Sequence, residues 1–192
     1  MSLTVPAMYE YQLESHFEHY CRMNGGQRLA FVPVVAVIFK YNYSIIICVL
    51  LLILQCCQVG VTLNYIHSVS KELLQEELKK LEILPTDLDG PDLIQVLNGL
   101  YPHDIGHYLG MDVHDTPLLS HNVVLQPGMV ITVEPGAYVR RDFPIKNHIK
   151  AKEFLGAAVR IEDDVLITSD GPQVLNKGTP QTVEEISALI NK

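Results

Sequence analysis

The amino-acid sequence predicts a mixed α/β (α+β) domain. Residues 8–23 and 63–84 repeat apolar side chains every three or four positions, which is typical of amphipathic helices. From residue 101 onward, short strand-like runs alternate with glycine and proline turns. With 192 residues, 48% of them hydrophobic, the chain is long enough to bury one sizeable apolar core.

The charged residues argue against a nucleic-acid-binding protein. The net charge is −8, and lysine and arginine do not cluster on any stretch. The four cysteines lack a C-x-x-C spacing, which indicates free thiols in a reducing compartment. No targeting peptide is predicted, because residues 1–11 lack a basic flank and an apolar core, and early glutamates are not typical of a mitochondrial transit peptide.

The first helix is expected at residues 8–23, where one face carries four apolar side chains. They are Tyr9, Leu13, Phe17 and Tyr20. The glycines at positions 25 and 26 are typical of a helix end. Residues 29–37 are rich in valine but contain Pro33, and they predict a short buried or edge strand.

An uncharged segment separates the two predicted helices. Residues 41–66 carry no charge, and this window exceeds the length of about 20 residues needed to span a bilayer. The unbroken apolar run, residues 45–54, is too short for a span and is more typical of a buried segment. We therefore expect residues 37–62 to be buried, with a membrane span through residues 43–63 as the alternative.

The second helix, residues 63–84, carries a leucine-rich stripe opposite a charged face. Residues 84–91 contain two prolines and a glycine, and they predict a linker. Residues 182–191 predict a terminal helix.

Three histidines, His103, His107 and His114, fall within twelve residues. Neutral imidazole is the commonest side-chain metal ligand and is also suited to proton transfer near neutral pH. A zinc-binding helix of the H-x-x-x-H type is disfavoured, because Gly106 would lie inside its turn. In an extended segment, one histidine can bind an ion while the others line a substrate pocket.

Two glutamates lie in apolar, strand-like runs. Strand alternation puts Glu134 on the same face as Thr132, and Pro135 ends that strand. Alternation likewise puts Arg160 and Glu162 on one face. Because a buried carboxylate without a cation is costly, each glutamate requires a metal or an arginine as its partner.

Three motifs in this order resemble the Xaa-Pro aminopeptidase (aminopeptidase P) branch of the pita-bread metallopeptidases. They are residues 106–115 with His107 and His114, residues 127–136 with Glu134, and residues 159–164 with Glu162. The mitochondrial members are the most similar. Residues 1–36, a helix and a strand, and residues 63–192, with the metal-site motifs, look family-like, whereas residues 37–62 do not. We therefore expect residues 1–192 to form a single, incomplete pita-bread catalytic domain.

The resemblance implies helices packed on a curved antiparallel sheet. The sheet is expected to contain residues 108–114, 129–134 and 159–167, with the helix at residue 63 on its convex face. The resemblance also implies two divalent ions, usually manganese, held by two aspartates, one histidine and two glutamates. Such a pair of ions activates water and polarises the scissile carbonyl.

The implied roles can be carried over residue by residue. His107, Glu134 and Glu162 match the histidine and glutamate ligands of the family. His103 and His114 match the histidines that flank the scissile bond. Arg160 matches the arginine that steadies the acidic cluster.

The two aspartate ligands of the family have no counterpart in this chain. The family draws them from Leu-Asp-x-Gly and Ser-Asp-x-Thr-Arg-Thr patterns in the first half, but no aspartate precedes Asp87 here. The apolar segment, residues 37–62, stands at that position. We therefore expect at most one ion, and impaired or absent hydrolysis.

The predicted function is a metalloaminopeptidase-type hydrolase that releases an N-terminal residue from peptides with proline at the second position. The alternative is a non-catalytic fragment that is membrane-tethered or binds a partner. The sequence is compatible with a homo-oligomer. The resemblance implies a location in the mitochondrion, with the cytoplasm as the alternative.

Overall fold

The computed structural model describes residues 5, 8–33, 44–142 and 150–190. In chain order these form α1 (Glu10–Met23), α2 (Ser44–Cys56), α3 (Leu63–Lys80), α4 (Gly90–Leu100), β1 (Val130–Val133), β2 (Gly136–Val139), a 3-10 helix (Lys150–Phe154), β3 (Ala157–Arg160), β4 (Asp163–Thr168), β5 (Gly171–Val174) and α5 (Val183–Ile190). The chain divides into two compact units, one of Met1–Ile38 with Pro180–Lys192 and one of Phe39–Thr179.

The first unit contains α1 and α5, both expected from the sequence. Helix α5 begins with a capping box, in which Thr182 Oγ1 accepts a hydrogen bond from Glu185 N and Glu185 Oε2 accepts one from Thr182 N. The strand expected at residues 29–37 is not formed where the structure describes it. Residues 29–33 make bends instead, because Pro33 has no amide proton to give to a ladder, and residues 34–37 lie outside the described residues.

The apolar segment of the sequence contains α2, which begins the second unit. Four of its side chains recur at helical spacing and are fully buried: Ile46, Val49, Leu50 and Ile53. The opposite face is exposed, with Leu51 at 56% and Leu52 at 45%. The burial expected for this segment therefore applies to one face of α2 only. Among the described residues, no helix has the length and apolarity required to cross a bilayer.

Helix α3 begins where the sequence predicts and ends four residues earlier. Its cap is Thr62, whose Oγ1 accepts a hydrogen bond from Tyr65 N at 3.1 Å. Helix α4 was not expected. The Asp, Gly and Pro residues before it indicate a linker, but they also suit a helix start, with Asp89 as N-cap and Pro91 in the first turn.

The strands form two antiparallel sheets, one in the order β1–β4–β5 and one of β2 with β3. The expected strand at residues 159–167 is therefore two strands, β3 and β4, in different sheets. The pairings Val133 with Asp163 and Gly136 with Arg160 keep one register across the break. The ladder breaks there because Pro135 cannot donate a hydrogen bond. Glu134 and Glu162 consequently stand opposite one another at the junction of the two sheets.

The expected strand at residues 108–114 is also displaced. Residues 105–109 run beside β1, with hydrogen bonds from Leu109 N to Val130 O at 3.0 Å and from Glu134 N to Ile105 O at 2.7 Å. Only Tyr108 forms a bridge with β1, and the chain then turns back, so that Asp115 N donates to Tyr108 O at 3.1 Å. This return is a loop.

Two hydrophobic clusters make the core of the second unit. The first joins α2 and the start of α3 to residues of β1 and β4, including Ile131, Val133, Val165 and Ile167. The second joins the end of α3 to α4 and the β2–β3 sheet. Helix α2 packs against α3 as well as against β1 and β5. The two clusters include residues of both sheets and so hold the strands on each side of the junction in place.

Candidate metal centre

Three side chains expected to bind metal lie together at the sheet junction. His107, Glu134 and Glu162 each offer one donor atom, and these atoms all lie within 4.8 Å of one another. His107 comes from the extended segment beside β1, Glu134 directly follows β1, and Glu162 separates β3 from β4. Within the described ranges this is the one such group of histidine, cysteine and acidic residues.

Thr132 holds the backbone of His107 in place. Thr132 N donates to His107 O at 2.9 Å, and His107 N donates to Thr132 Oγ1 at 3.0 Å. This close approach requires glycine at the preceding position, because a Cβ atom on Gly106 would lie 1.9 Å from Thr132 O. Thr132 is therefore part of the site. The strand alternation that puts Thr132 on the same face as Glu134 is the feature of the sequence that indicates this role.

The hydrogen bonds of His107 leave one nitrogen available. Its Nδ1 lies 3.0 Å from Tyr108 O. Since a carbonyl oxygen can only accept, Nδ1 carries a proton, and the tautomer that fits this contact has its lone pair on Nε2. Nε2 lies 3.4 Å from Glu134 Oε1. A histidine whose far nitrogen donates to a carbonyl is oriented as metal-binding histidines are.

Glu134 is buried at 8% exposure and has partners for both oxygens. Thr132 Oγ1 donates to Oε1 at 2.9 Å, and Arg160 Nη1 lies 3.5 Å from Oε2. Arg160 is itself oriented by Tyr138, whose hydroxyl accepts from Nε at 2.7 Å. Nothing in the sequence pattern indicated this role of Tyr138.

Glu162 adds a second negative charge to the junction. Its pKa is raised above the ordinary value because protein groups displace solvent around the carboxylate and because Glu134 and Asp164 are negative neighbours. The backbone of Glu162 is anchored by Asn176, whose Nδ2 donates to Glu162 O at 3.2 Å. Sequence reasoning missed Asn176, because its pairing depends on the turn between β4 and β5.

The donor set fits a divalent ion. One neutral imidazole and two carboxylates supply hard nitrogen and oxygen donors with a combined charge of about −2, which matches one dication. Burial raises the pKa of Glu162, the negative charges of Glu134 and Asp164 raise it further, and a bound cation would offset both effects. This donor chemistry does not choose manganese over other first-row ions.

The other two histidines make ring contacts near the cluster. The exposed His114 packs its ring perpendicular to that of His107, with 4.5 Å between ring centroids. His103 packs edge-on against Tyr101 and Tyr138, and its Nδ1 donates to Asp104 O at 2.7 Å. Burial, with a smaller contribution from the positive charge of Arg160, lowers the pKa of His103. His103 Nε2 is buried and makes no hydrogen bond within the described part of the chain.

Sequence comparison identifies relatives of known class. The model for metallopeptidase family M24 matches residues 37–169. The chain is 40% identical over 136 residues to Xaa-Pro aminopeptidase 3 of Rattus norvegicus, covering 71% of this chain and 26% of that protein. It is 40% identical over 135 residues to Intermediate cleaving peptidase 55, mitochondrial, of Arabidopsis thaliana, covering 70% of this chain and 25% of that protein. The chain thus spans about a quarter of the length of these relatives.

Solved structures confirm the predicted fold class. Proline aminopeptidase P II from Yersinia pestis superposes with a TM-score of 0.80 at 23% identity, covering 99% of this chain and 54% of that one. Icp55 from Saccharomyces cerevisiae gives a TM-score of 0.65 at 30% identity, covering 80% of this chain and 38% of that one. The fold is the mixed α/β pita-bread fold of aminopeptidase P. Together with the family match over residues 37–169, this establishes that the chain belongs to metallopeptidase family M24.

Proposed function

We propose that this chain is a metal-binding relative of the Xaa-Pro aminopeptidases whose own peptide hydrolysis is negligible. The observation that carries the proposal is the convergence of His107, Glu134 and Glu162 in a chain without aspartate before Asp87. The three side chains supply a binding site for one divalent ion. The family resemblance expects five ligands for two ions, so two carboxylates have no counterpart.

The proposed ligands are His107 Nε2 and the carboxylates of Glu134 and Glu162. A bound divalent ion, for which we propose manganese, would supply Lewis-acid polarisation of a carbonyl and a lowered pKa of water. The guanidinium of Arg160 lies 3.5 Å from Glu134 Oε2 and balances part of the charge on that carboxylate. Thr132 fixes the Glu134 side chain through its 2.9 Å hydrogen bond.

The ligands that we propose for this chain are peptides with proline at the second position, which the site would bind without hydrolysing at a measurable rate. His103 packs against Tyr138, and His114 packs against His107. Burial lowers the pKa of His103, which favours the neutral imidazole, and its unpaired Nε2 is then a hydrogen-bond acceptor. We propose this positioning role for both histidines.

Charge explains why one ion, and not two, is proposed. Two dications bring four positive charges, whereas the two glutamates bring two negative charges. An uncompensated second ion in this partly buried junction would repel both the first ion and Arg160. Loss of even outer contacts to a ligand costs about 10–100-fold in metal affinity or activity, and here two direct ligands have no counterpart.

The test is metal content and turnover of the purified chain. We expect up to one equivalent of Mn²⁺ and no measurable release of the first residue from an Arg-Pro-Pro peptide. The matched control is His107→Ala, which should lose the ion. Manganese-dependent turnover that His107→Ala abolishes would contradict the inactive state and restore a full enzyme.

We also propose a mitochondrial location, supported by the similarity to Intermediate cleaving peptidase 55, mitochondrial, of Arabidopsis thaliana. Fractionation of cells that express the tagged chain tests this, and a cytosolic signal alone would contradict it. The membrane-tethered alternative is not proposed, since the buried face of α2 forms part of the core.

A further inference from the structure

An open polar cleft lies beside His103, and the proposed function assigns no role to it. The cleft has a volume of about 410 Å³. Side chains of α3, of α4 and of the residues that follow α4 line it, among them Lys71, Asn98 and Asp104. A concave site of this size, with a few polar groups on its walls, is typical of sites that bind small molecules or short peptides.

His103 belongs both to the cleft and to the surroundings of the candidate metal centre. A Cβ atom built on Gly136 would lie 2.9 Å from His103 Nε2, so this nitrogen lies against the backbone just after Glu134. The His103 ring also packs edge-on against Tyr138. The hydroxyl of Tyr138 orients Arg160, which lies beside Glu134. A peptide that contacts His103 therefore has the cleft next to it.

Lys71 is the cation of the cleft. Of the described residues that line the cleft, it has the one side chain with a permanent positive charge. Its ammonium group donates to Asn98 Oδ1 at 3.1 Å. An ammonium group has three N–H donors, so two remain for a ligand. The hydrogen bond also ties the lysine, which α3 carries, to α4.

The sequence of α3 gives Lys71 no carboxylate to pair with. Side chains three and four positions apart meet on the surface of a helix. At those distances from Lys71 the helix has His67, Ser68, Leu74 and Gln75. Lys80, by contrast, follows Glu77 by three positions and forms an ion pair with it. Among the described residues Lys71 forms no ion pair, so its ammonium group is free to pair with a ligand anion.

Asp104 gives the same cleft a negative group. Its carboxylate oxygens lie 3.8 Å from His67 Nε2 and 3.7 Å from His121 Nδ1. Burial lowers the pKa of His67, and the positive charge of Lys71 lowers it further, which favours the neutral imidazole. A free inorganic anion at Lys71 would therefore meet an opposing carboxylate in the cleft. The end of a peptide suits both groups, because it has an anion for Lys71 and backbone N–H groups for a carboxylate.

The spacing of the cleft residues suits a short peptide. The ring centroids of His103 and Tyr101 are 4.9 Å apart, and those of Tyr101 and His67 are 5.5 Å apart. Lys71 lies about one turn further along α3 than His67. An extended peptide advances about 3.3–3.6 Å per residue, so about three residues cover the two ring steps. A peptide that begins near His103 would thus bring its carboxyl end towards Lys71 within a few residues.

We propose that the cleft binds the carboxyl-terminal end of a short peptide, with the Lys71 ammonium group paired to the terminal carboxylate. This inference rests on the proposed function, in which peptides bind beside His103 without measurable hydrolysis. It adds a preference for short peptides with a free carboxyl terminus over amidated ones. Lys71 determines specificity in this arrangement and takes no part in holding the ion.

The test compares the tripeptide Arg-Pro-Ala with its carboxyl-terminal amide, by calorimetry on the full chain with Mn²⁺. We expect the free acid to bind at least about fivefold more tightly, because the amide offers no anion to the ammonium group. Lys71→Gln removes the charge from a side chain of similar length and should bring the two affinities within about twofold of each other. Lys71→Arg keeps the charge and should retain most of the preference.

The matched control is Lys80→Gln, which removes the same charge from an exposed position of the same helix and should leave the preference unchanged. The preference of the parent chain should also shrink at high salt, because salt screens the ion pair. Equal affinities for acid and amide in the parent chain, or a preference that Lys71→Gln leaves unchanged, would overturn this inference and leave the proposed function standing. Binding of neither peptide would instead contradict the proposed function, and this inference with it.

Discussion

At the scale of single residues, the site depends on a close backbone approach at Gly106. A Cβ atom there would lie 1.9 Å from Thr132 O, so the chain beside β1 must move to admit any side chain. The same movement would break the two hydrogen bonds that place His107. Gly106 is thus a ligand-positioning residue although it has no donor atom.

Gly106→Ala is expected to lower the free energy of unfolding by about 3 kcal/mol or more, because backbone must shift to relieve the overlap. The control is Gly60→Ala, where no atom lies within 4 Å and only the φ of +96° adds strain. That change should cost about 1–2 kcal/mol. Urea denaturation of both variants decides the matter, and equal losses would contradict the close approach.

Glu162 is expected to oppose folding when no metal is bound. Displaced solvent and the charges of Glu134 and Asp164 raise its pKa in the folded chain, whereas in the unfolded chain the pKa returns to its ordinary value. The folded chain therefore binds the Glu162 proton more tightly. The favourable contribution is present below the unfolded pKa and is lost as pH rises through the folded pKa.

Glu162→Gln is accordingly expected to stabilise the metal-free chain at neutral pH, by no more than about 1 kcal/mol because the exposed carboxylate is screened. It should also remove the stabilisation that Mn²⁺ confers. Urea denaturation with and without a chelator, at about pH 4 and about pH 7, measures both effects. A metal-free variant that is less stable than the parent at neutral pH would contradict this reasoning.

At the scale of elements, local pattern predicted some helices and missed others. The starts of α1, α3 and α5 could be predicted within two residues, because amphipathic periodicity is local. Helix α4 could not, because the Gly90-Pro91 start also suits a linker. The break between β3 and β4 needed the partner strand, since Pro135 ends the ladder from across the sheet.

The same contrast applies to the site. His107, Glu134 and Glu162 were recognisable from motif order, and the structure places them together. Tyr138 and Asn176 were not, because each acts through a residue more than ten positions away.

Helix α2 is expected to behave as a core helix with one buried face and one solvent-exposed face. Ile53→Ala, at a fully buried position, should lower the free energy of unfolding by about 2–5 kcal/mol. Leu51→Ala, at a position 56% exposed, should change it by less than about 0.5 kcal/mol. Denaturant midpoints in detergent-free buffer measure both variants. Equal effects would mean that the packing face of α2 is assigned wrongly.

At the scale of the whole molecule, the described core and the candidate metal centre both belong to the second unit. Its two hydrophobic clusters draw on residues between Ile46 and Ile167. Helices α1 and α5 contribute no buried residue. The stability of the metal-binding part is therefore expected to come from residues 39–179 alone.

A fragment of residues 39–179 is expected to fold and to keep the Mn²⁺ affinity of the full chain within about 10-fold, because it retains the three proposed ligands and every outer contact described for them. Calorimetry gives the affinity. Unfolding with Mn²⁺ at about 100 times Kd should show about 2.7 kcal/mol of added stability, as linkage requires for an ion that binds only the folded state.

The control fragment, residues 57–179, lacks α2 and should not fold, because Val49, Leu50 and Ile53 are then missing from the first cluster. An unfolded 39–179 fragment, or one that no longer binds Mn²⁺, would mean that the terminal helices are required for the site, contrary to their lack of buried side chains.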